Sequence, residues 1–297
     1  MTFTQLRIFD ALVREGGYTA AAQALGMTQP AISHAISKLE RELGLMLLRR
    51  GRGGMELTAQ GKKILGHVRE ILTQTDCLIQ VAVEVAGSER GRLRIGLITS
   101  VATRLAPALL AGFRKHHPHV EVVLFEGTDQ EVAEWLRSSV VNIGLLALRF
   151  PEFTSHSIKS DRALVALPRN HPLARNKTIS IQAMARQPFV MSKAGCEPFI
   201  QSIYGQEGLI PNVRYEARDI STVLGMVREG LGVSIVPELA LPEKVSGVRL
   251  VPLRPVAKRE IVIATRNDQS MSPAAKAFLA RALQWRKQKA VTKSAVG

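Results

Sequence analysis

The chain has 297 residues, of which 46% are hydrophobic, 22% charged and only 5% aromatic, a composition that excludes disorder, collagen and a small disulfide scaffold and suits about two folded domains. Lys and Arg number 40 against 25 Asp and Glu, a formal charge of +15 that points to a polyanionic partner such as nucleic acid. Two cysteines, Cys77 and Cys196, are too few for a disulfide framework or zinc cluster. With no export signal and no apolar run of membrane-spanning length, the expectation is a cytoplasmic chain that neither crosses nor binds a membrane.

Leu6, Phe9, Leu12 and Val13 recur at helical spacing and predict an amphipathic helix ended by Gly16-Gly17. Tyr18 to Leu25 is alanine-rich and predicts a short helix ended by Gly26. Thr28 supplies an N-cap oxygen and Pro30 a first-turn proline, so a third helix is expected from Gln29 to about Glu42. Ile32, Ile36, Leu39 and Leu43 form its buried stripe, while Gln29, Ser33, His34, Ser37, Lys38 and Arg41 occupy the other faces. Two short helices joined by Gly26-Met27-Thr28 have the proportions of a helix-turn-helix. The segments Leu47 to Arg50 and Met55 to Thr58 flank Gly51-Arg52-Gly53-Gly54 and predict a basic hairpin. By pattern alone, a small helical subdomain with a solvated hairpin fits these residues too.

Ala21-Ala22, Thr28-Gln29-Pro30-Ala31-Ile32-Ser33, Leu39-Glu40, Leu43-Gly44, Arg50 and Leu57-Thr58-Ala59-Gln60-Gly61 resemble, in order and spacing, the N-terminal signature of LysR-type transcriptional regulators. Gly17 stands where that family usually has Ser, and Leu48 where it usually has Phe. The resemblance implies that Gln29 and Pro30 touch base edges and that Thr28 and Ser33 hold phosphates. It further implies that His34 and Ser37 set sequence choice, and that Lys38, Arg50 and Arg52 meet the backbone or minor groove.

From Ala59 to Ala86 there is no proline, and Ile64, Val68, Ile71, Thr75, Leu78, Ala82 and Val85 follow alternating steps of four and three, a heptad repeat. Leu65, Leu72 and Ile79 widen this stripe beyond one seam, so the helix is expected to pack against a second subunit. Cys77, on the same helix, is expected to be a packing residue.

Beyond Gly87 to Gly91 the pattern alternates strand and helix. Strands are expected at Leu93–Ile98, Val120–Phe125 and Ile143–Leu146, with helices at Leu105–Lys115 and Val132–Arg137, in a parallel sheet covered on both faces. A second series places strands near Ala163–Leu167, Phe189–Met191, Val213–Glu216 and Val233–Val236, and helices near Pro198–Tyr204 and Ile220–Glu229. Ile261–Thr265 then leads to a last helix, Pro273–Gln288.

The order of these elements, with Leu93-Arg94-Ile95-Gly96, His117-Pro118-His119-Val120, Glu126-Gly127-Thr128 and Val227 to Pro237, resembles the LysR-type effector domain. Asn142 stands where the family commonly has Asp. The implied fold is an N-terminal, mainly α winged helix-turn-helix (1–58), a long linker helix (59–87) and an α/β, two-lobed, periplasmic-binding-protein-like effector domain (88–297). Lobe I is expected over about 92–160 and 266–290, lobe II over about 161–265. The implied partners are double-stranded DNA, a small and anionic effector, further copies of the chain as homodimer and homotetramer, and RNA polymerase. Thr99, Ser100, Thr128, Arg149, Gly195 and Cys196 are the expected effector-binding residues; Thr99 and Ser100 equally suit capping of the following helix.

No metalloprotease, nucleophile-elbow, P-loop or Rossmann motif occurs, so neither enzyme activity nor a cofactor is expected. His116-His117-Pro118-His119 fits a solvated turn better than a metal site, and Cys196 a pocket-lining thiol better than a redox switch. A solute-binding module whose N-terminal helices only mediate assembly is the rival architecture. Residues 1–87 carry a net charge of only +2 and residues 88–297 the remaining +13.

Overall fold

A computed structural model of the chain describes residues 1–51, 54–85, 91–267 and 271–294. Arg52, and the side chains of Arg50 and Cys77, lie outside the described residues. The chain divides into two compact units, Met1–Ser88 with Arg137–Val140, and Glu89–Leu136 with Val141–Gly297.

The first unit opens with α1 (Phe3–Glu15), α2 (Tyr18–Leu25) and α3 (Gln29–Leu43), each ended by a glycine as the sequence predicts. A reciprocal pair of bonds starts α1: Thr2 Oγ1 accepts from the Gln5 N–H and Gln5 Oε1 from the Thr2 N–H. The hairpin follows as β1 (Leu48–Gly51) and β2 (Gly54–Leu57), with Leu48 opposite Leu57 and Arg49 opposite Glu56. Glu40 Oε1 accepts the N–H groups of Leu47 and Leu48 at 2.7 and 3.2 Å, fastening α3 to the hairpin.

The long helix α4 (Ala59–Val85) then passes close to that junction. A Cβ on Gly61 would lie 2.1 Å from the Leu47 carbonyl oxygen, so only glycine permits this approach. Phe9, Leu12, Ile32, Ile36, Leu39, Leu47, Leu65 and Val68 form one core, and the Arg69 Nε bonds Asp10 at 2.7 Å. The stripe on α4 is therefore divided. Its first turns are buried, whereas Ile71, Leu78 and Ile79 are 38%, 70% and 49% exposed.

The second unit runs β3 (Gly91–Ile98), α5 (Thr99–Arg104), α6 (Ala106–His116), β4 (Val120–Gly127), α7 (Asp129–Arg137), β5 (Ile143–Leu146) and β6 (Thr154–Pro168). It continues with β7 (Ile179–Ser180), α8 (Ile181–Ala185), β8 (Pro188–Ser192), α9 (Glu197–Gly205), β9 (Asn212–Ala217), α10 (Ile220–Arg228) and β10 (Ser234–Pro237). The last elements are β11 (Val248–Arg254), β12 (Lys258–Thr265) and α11 (Pro273–Ser294).

One sheet has the order β4-β3-β5-β12-β6-β11-β7, with β10 also on β6, while β8 and β9 form a separate parallel pair. Two cores flank the shared strands. One gathers Leu97, Leu109, Phe113, Ile143, Ile263 and Phe278, the other Val165, Phe189, Ile200, Tyr204, Ile235 and Val251. β6 serves both, with Ile158 in the first core and Val165 in the second, while β12 gives Ile261 and Ile263 to the first and pairs with β5 and β6.

Three expectations need correction. The parallel arrangement holds for β3, β4 and β5, but β12 and β6 enter antiparallel. β6 starts at Thr154, nine residues before the predicted strand, because its first half buries only Ile158 and Asp161 and so lacks an apolar pattern. α5, β7, α8 and β11 lie outside the predicted elements: the first three are very short, and Pro252 interrupts the strand signal of the last. Asn142, the departure from the family pattern, keeps a local hydrogen bond, accepting the Arg94 N–H at 2.8 Å.

Candidate nucleic-acid interface and ligand cleft

The third helix begins where Thr28 Oγ1 accepts the Ala31 N–H at 3.4 Å, with Pro30 inside the first turn. Burial of Ile32, Ile36 and Leu39 against α1 and α2 fixes which side of α3 faces inward. Thr28, Gln29, Pro30, Ser33, His34, Ser37 and Lys38 are consequently all exposed, gathered by helical spacing on the outward side. No acid lies in the first turn of α3, so its free N–H groups and dipole present positive potential to a phosphate. The acids farther along are engaged elsewhere. Glu40 binds the hairpin backbone, and Glu42 pairs with the amino terminus, which holds its carboxyl below the ordinary range. On the hairpin, Arg49 pairs with Glu56 at 3.0 Å.

The second unit brings a different set together between its two cores. Ser100, at the start of α5, is buried and accepts from Arg259 Nη2 at 2.6 Å. Arg259 also donates from Nε and Nη2 to Asp161 Oδ2 at 3.0 and 2.9 Å, while Asp161 Oδ1 accepts the Leu239 N–H at 3.0 Å. Its guanidinium carbon stands 5.6 Å from the centre of the Phe199 ring. Arg259 is the one buried Lys or Arg among the described residues.

Burial raises the Asp161 carboxyl above its ordinary range, opposed by Arg259 and the Leu239 N–H. Cys196 lies in the same electrostatic neighbourhood: burial pushes its thiol up, with Arg259 opposing and Asp161 and Asp129 adding to the rise. Asp129 is raised by burial too, although it accepts the N–H groups of Ala147 and Leu148 at 2.6 and 2.9 Å.

Loops from both sides meet at this place. Gly195, at φ +83°, turns its α-carbon toward Thr128, where a Cβ would come within 3.5 Å of the threonine Cα. Thr128 opens α7 with a reciprocal cap: its Oγ1 accepts the Glu131 N–H, and Glu131 Oε2 accepts from its N–H and hydroxyl. Thr99 is half-buried beside Ser100. Ser100 does not cap α5, which starts without a side-chain cap bond.

Arg149 does not belong to this group. It is exposed, bonded to Glu260 at 2.8 Å and to the Ser155 carbonyl. Since neighbours on a strand point to opposite faces, Glu260 draws it to the side away from Arg259. Three residues of the cluster carry no signal in the sequence pattern: Arg259, Asp161 and Asp129. Lys258-Arg259-Glu260 and Ser160-Asp161-Arg162 read as solvated charge, and only the cross-strand register brings Arg259 opposite Asp161.

Among the described residues no group of three His, Cys, Asp or Glu is placed to hold a metal ion. His117 instead stacks on Phe113 with ring centres 4.8 Å apart. No described helix is long and apolar enough to cross a membrane.

Comparison with known proteins agrees with both halves. The family model of the LysR substrate binding domain matches residues 86–287, and that of the bacterial regulatory helix-turn-helix protein, lysR family, matches residues 3–62. An uncharacterized HTH-type transcriptional regulator of Bacillus subtilis, YvbU, is 36% identical over 286 residues, covering 94% of this chain and 97% of that protein. Full-length OxyR from Pseudomonas aeruginosa, solved as a variant, shares the fold with a TM-score of 0.75 at 23% identity, over 96% of this chain and 95% of its own. Full-length CbnR, solved in complex with its target DNA, shares it with a TM-score of 0.67 at 24% identity, over 96% of this chain and 100% of its own.

Proposed function

Because the chain belongs to the LysR family of bacterial regulators, and is thus a DNA-binding transcription regulator and not an enzyme, we propose that it reads a pseudo-palindromic promoter site as a homotetramer and answers a small anionic metabolite. The effector enters between the two cores of the second unit, where its carboxylate accepts from the Ser100 hydroxyl and the Arg259 guanidinium. The observation that carries this reading is the buried Ser100–Arg259–Asp161 network. A buried guanidinium that bonds a hydroxyl at 2.6 Å beside its carboxylate partner, with a thiol nearby, suits a carboxylate. Thr99, Thr128, Gly195 and Cys196 line the approach.

Gln29 and Pro30 contact base edges, Thr28 and Ser33 hold phosphates, and His34 and Ser37 set sequence preference. Lys38, Arg50 and Arg52 meet the backbone or minor groove. Exposure of the first seven of these supports the reading. The apolar residues Ile71, Leu78 and Ile79 left open on α4 support pairing with the same helix of a second subunit, which presents two heads to one site. Residues 1–58 are the head, 59–87 the linker and 88–297 the effector domain, with lobe I near 92–160 and 266–290 and lobe II near 161–265. RNA polymerase is the downstream partner and the cytoplasm the compartment.

Footprinting of the region upstream of the protein's own gene tests the DNA half: protection of a palindromic, T-rich site is expected, and none sinks it. Thermal-shift screening of small carboxylates on the full-length protein tests the other half. A stabilising acid should lose its effect in Ser100→Ala; if every acid acts equally on both proteins, the cleft assignment fails.

A further inference from the structure

The bulk of the chain's positive charge lies outside the DNA-binding head, and part of it is collected on one layer of the second unit. Helices α6 and α11 pack side by side: Phe113 meets Phe278 edge to face with ring centres 5.4 Å apart, and a Cβ on Gly112 would stand 3.5 Å from Arg281 Nε. Between Thr99 and His119, and again between Pro273 and Ser294, the sequence contains no Asp or Glu. The first stretch carries Arg104, Arg114 and Lys115, the second Lys276, Arg281, Arg286, Lys287, Lys289 and Lys293. Among the described side chains, Arg104, Arg114, Lys115, Lys276, Arg286 and Lys287 are exposed and Arg281 is half-exposed.

None of these seven is in an ion pair, whereas Arg92, Arg149, Arg162, Lys193 and Arg228 on the same unit each meet a carboxylate. Lys276 and Lys287 are eleven residues apart, three helical turns, and so share one side of α11 about 16 Å apart. Seven unneutralised cations on α5, α6 and α11, three helices that carry no acid, make a surface complementary to a phosphate backbone and to no particular base.

We propose that this α5–α6–α11 face is a second DNA-contact surface, holding the phosphates of duplex that flanks the operator without reading its sequence. It adds counterion release on long DNA only, because a short duplex ends before reaching it.

The test compares operator binding by the full-length protein on a core-length duplex and on the same operator with long flanks, across a salt series. The variant replaces Arg114, Lys115, Lys276 and Lys287 by Gln, none of which makes a side-chain hydrogen bond in the structure. Each lost phosphate contact removes about 0.9 from the slope of log affinity against log salt. The long fragment should therefore lose about 3.6 units of slope, roughly a 150-fold smaller gain in affinity between 200 and 50 mM salt, and the short fragment should lose none.

A companion keeping the charge, with Lys115, Lys276 and Lys287 changed to Arg, should bind as the parent. A control with Arg175, Lys177 and Arg186 changed to Gln should leave both slopes unchanged. Equal losses on both fragments, no loss on either, or the same loss in the control overturns the proposal. Intact binding to both fragments with loss of transcription alone also overturns it, assigning the face to a protein of the transcription machinery.

Discussion

Arg259 and Asp161 stand directly opposite each other on β12 and β6, with two guanidinium nitrogens on one carboxylate oxygen at 3.0 and 2.9 Å. β6 contributes side chains to both cores of the second unit and β12 to the first. Ser100 and the Leu239 N–H both reach the pair from beside the first core, so one buried ion pair gathers groups from four separate segments.

Removing one member leaves the other charged and dry. Arg259→Met should destabilise the protein by roughly 3–5 kcal/mol, and the double variant Arg259→Met with Asp161→Leu should regain at least half of that. Urea unfolding of the three proteins measures both steps. A double variant no better than the single one would show that geometry, and not the orphaned carboxylate, sets the loss.

Asp129 gives a pH signature of definite sign. Burial lifts its carboxyl above 3.8, against the pull of the Leu148 and Ala147 N–H groups and of Arg259. A carboxyl with a higher pKa folded than unfolded binds more protons when folded, so its contribution falls as pH rises from 3.8 through the folded value. Asp129→Asn keeps an oxygen for both N–H groups and removes that decline. Stability profiles of parent and variant should diverge with rising pH, in the variant's favour; parallel profiles would mean that the carboxyl titrates as in water.

Gly61→Ala places a methyl group 2.1 Å from the Leu47 oxygen. Because the obstacle is backbone, α4 must move away from the base of the hairpin, at a cost of at least 1–3 kcal/mol. The expected outcome is a lower melting temperature together with weaker operator binding. Gly66→Ala, where nothing lies within 4 Å, should be neutral or slightly stabilising, and equal effects at the two positions would refute the close-approach account.

On α3 two exposed side chains should fail in different ways. Gln29→Ala should weaken operator binding by about 1–3 kcal/mol and flatten the preference at one base pair while leaving the salt slope alone. Lys38→Ala should weaken binding to every sequence alike and lower the salt slope by about 1. Affinity for a panel of single-base operator variants, at two salt concentrations, separates them; identical behaviour would place both residues on the backbone.

Much of this was legible because the head announces its own punctuation. Thr28, Pro30 and the glycines at 16, 26 and 44 bound the helices by local chemistry that needs no tertiary contact. The cleft is harder, since its polar centre is made by pairing across strands. Asp161 and Arg259 are each flanked by polar or charged residues that read as solvent-facing, and their burial comes only from being opposite one another. Arg149 misleads for the complementary reason: it lies close in sequence to the end of β5, yet an exposed Glu260 holds it elsewhere.

Glu40 sits on the helix expected to lie in the groove, where a free carboxylate would repel every phosphate it met. By turning inward to the N–H groups of Leu47 and Leu48, it removes that repulsion and makes helix and hairpin move as a single body. A duplex of the wrong width cannot then satisfy the helix while the hairpin swings aside; it must fit both or be released. If the helix enters the groove as proposed, one glutamate makes the head answer to the shape of the duplex as well as to its sequence.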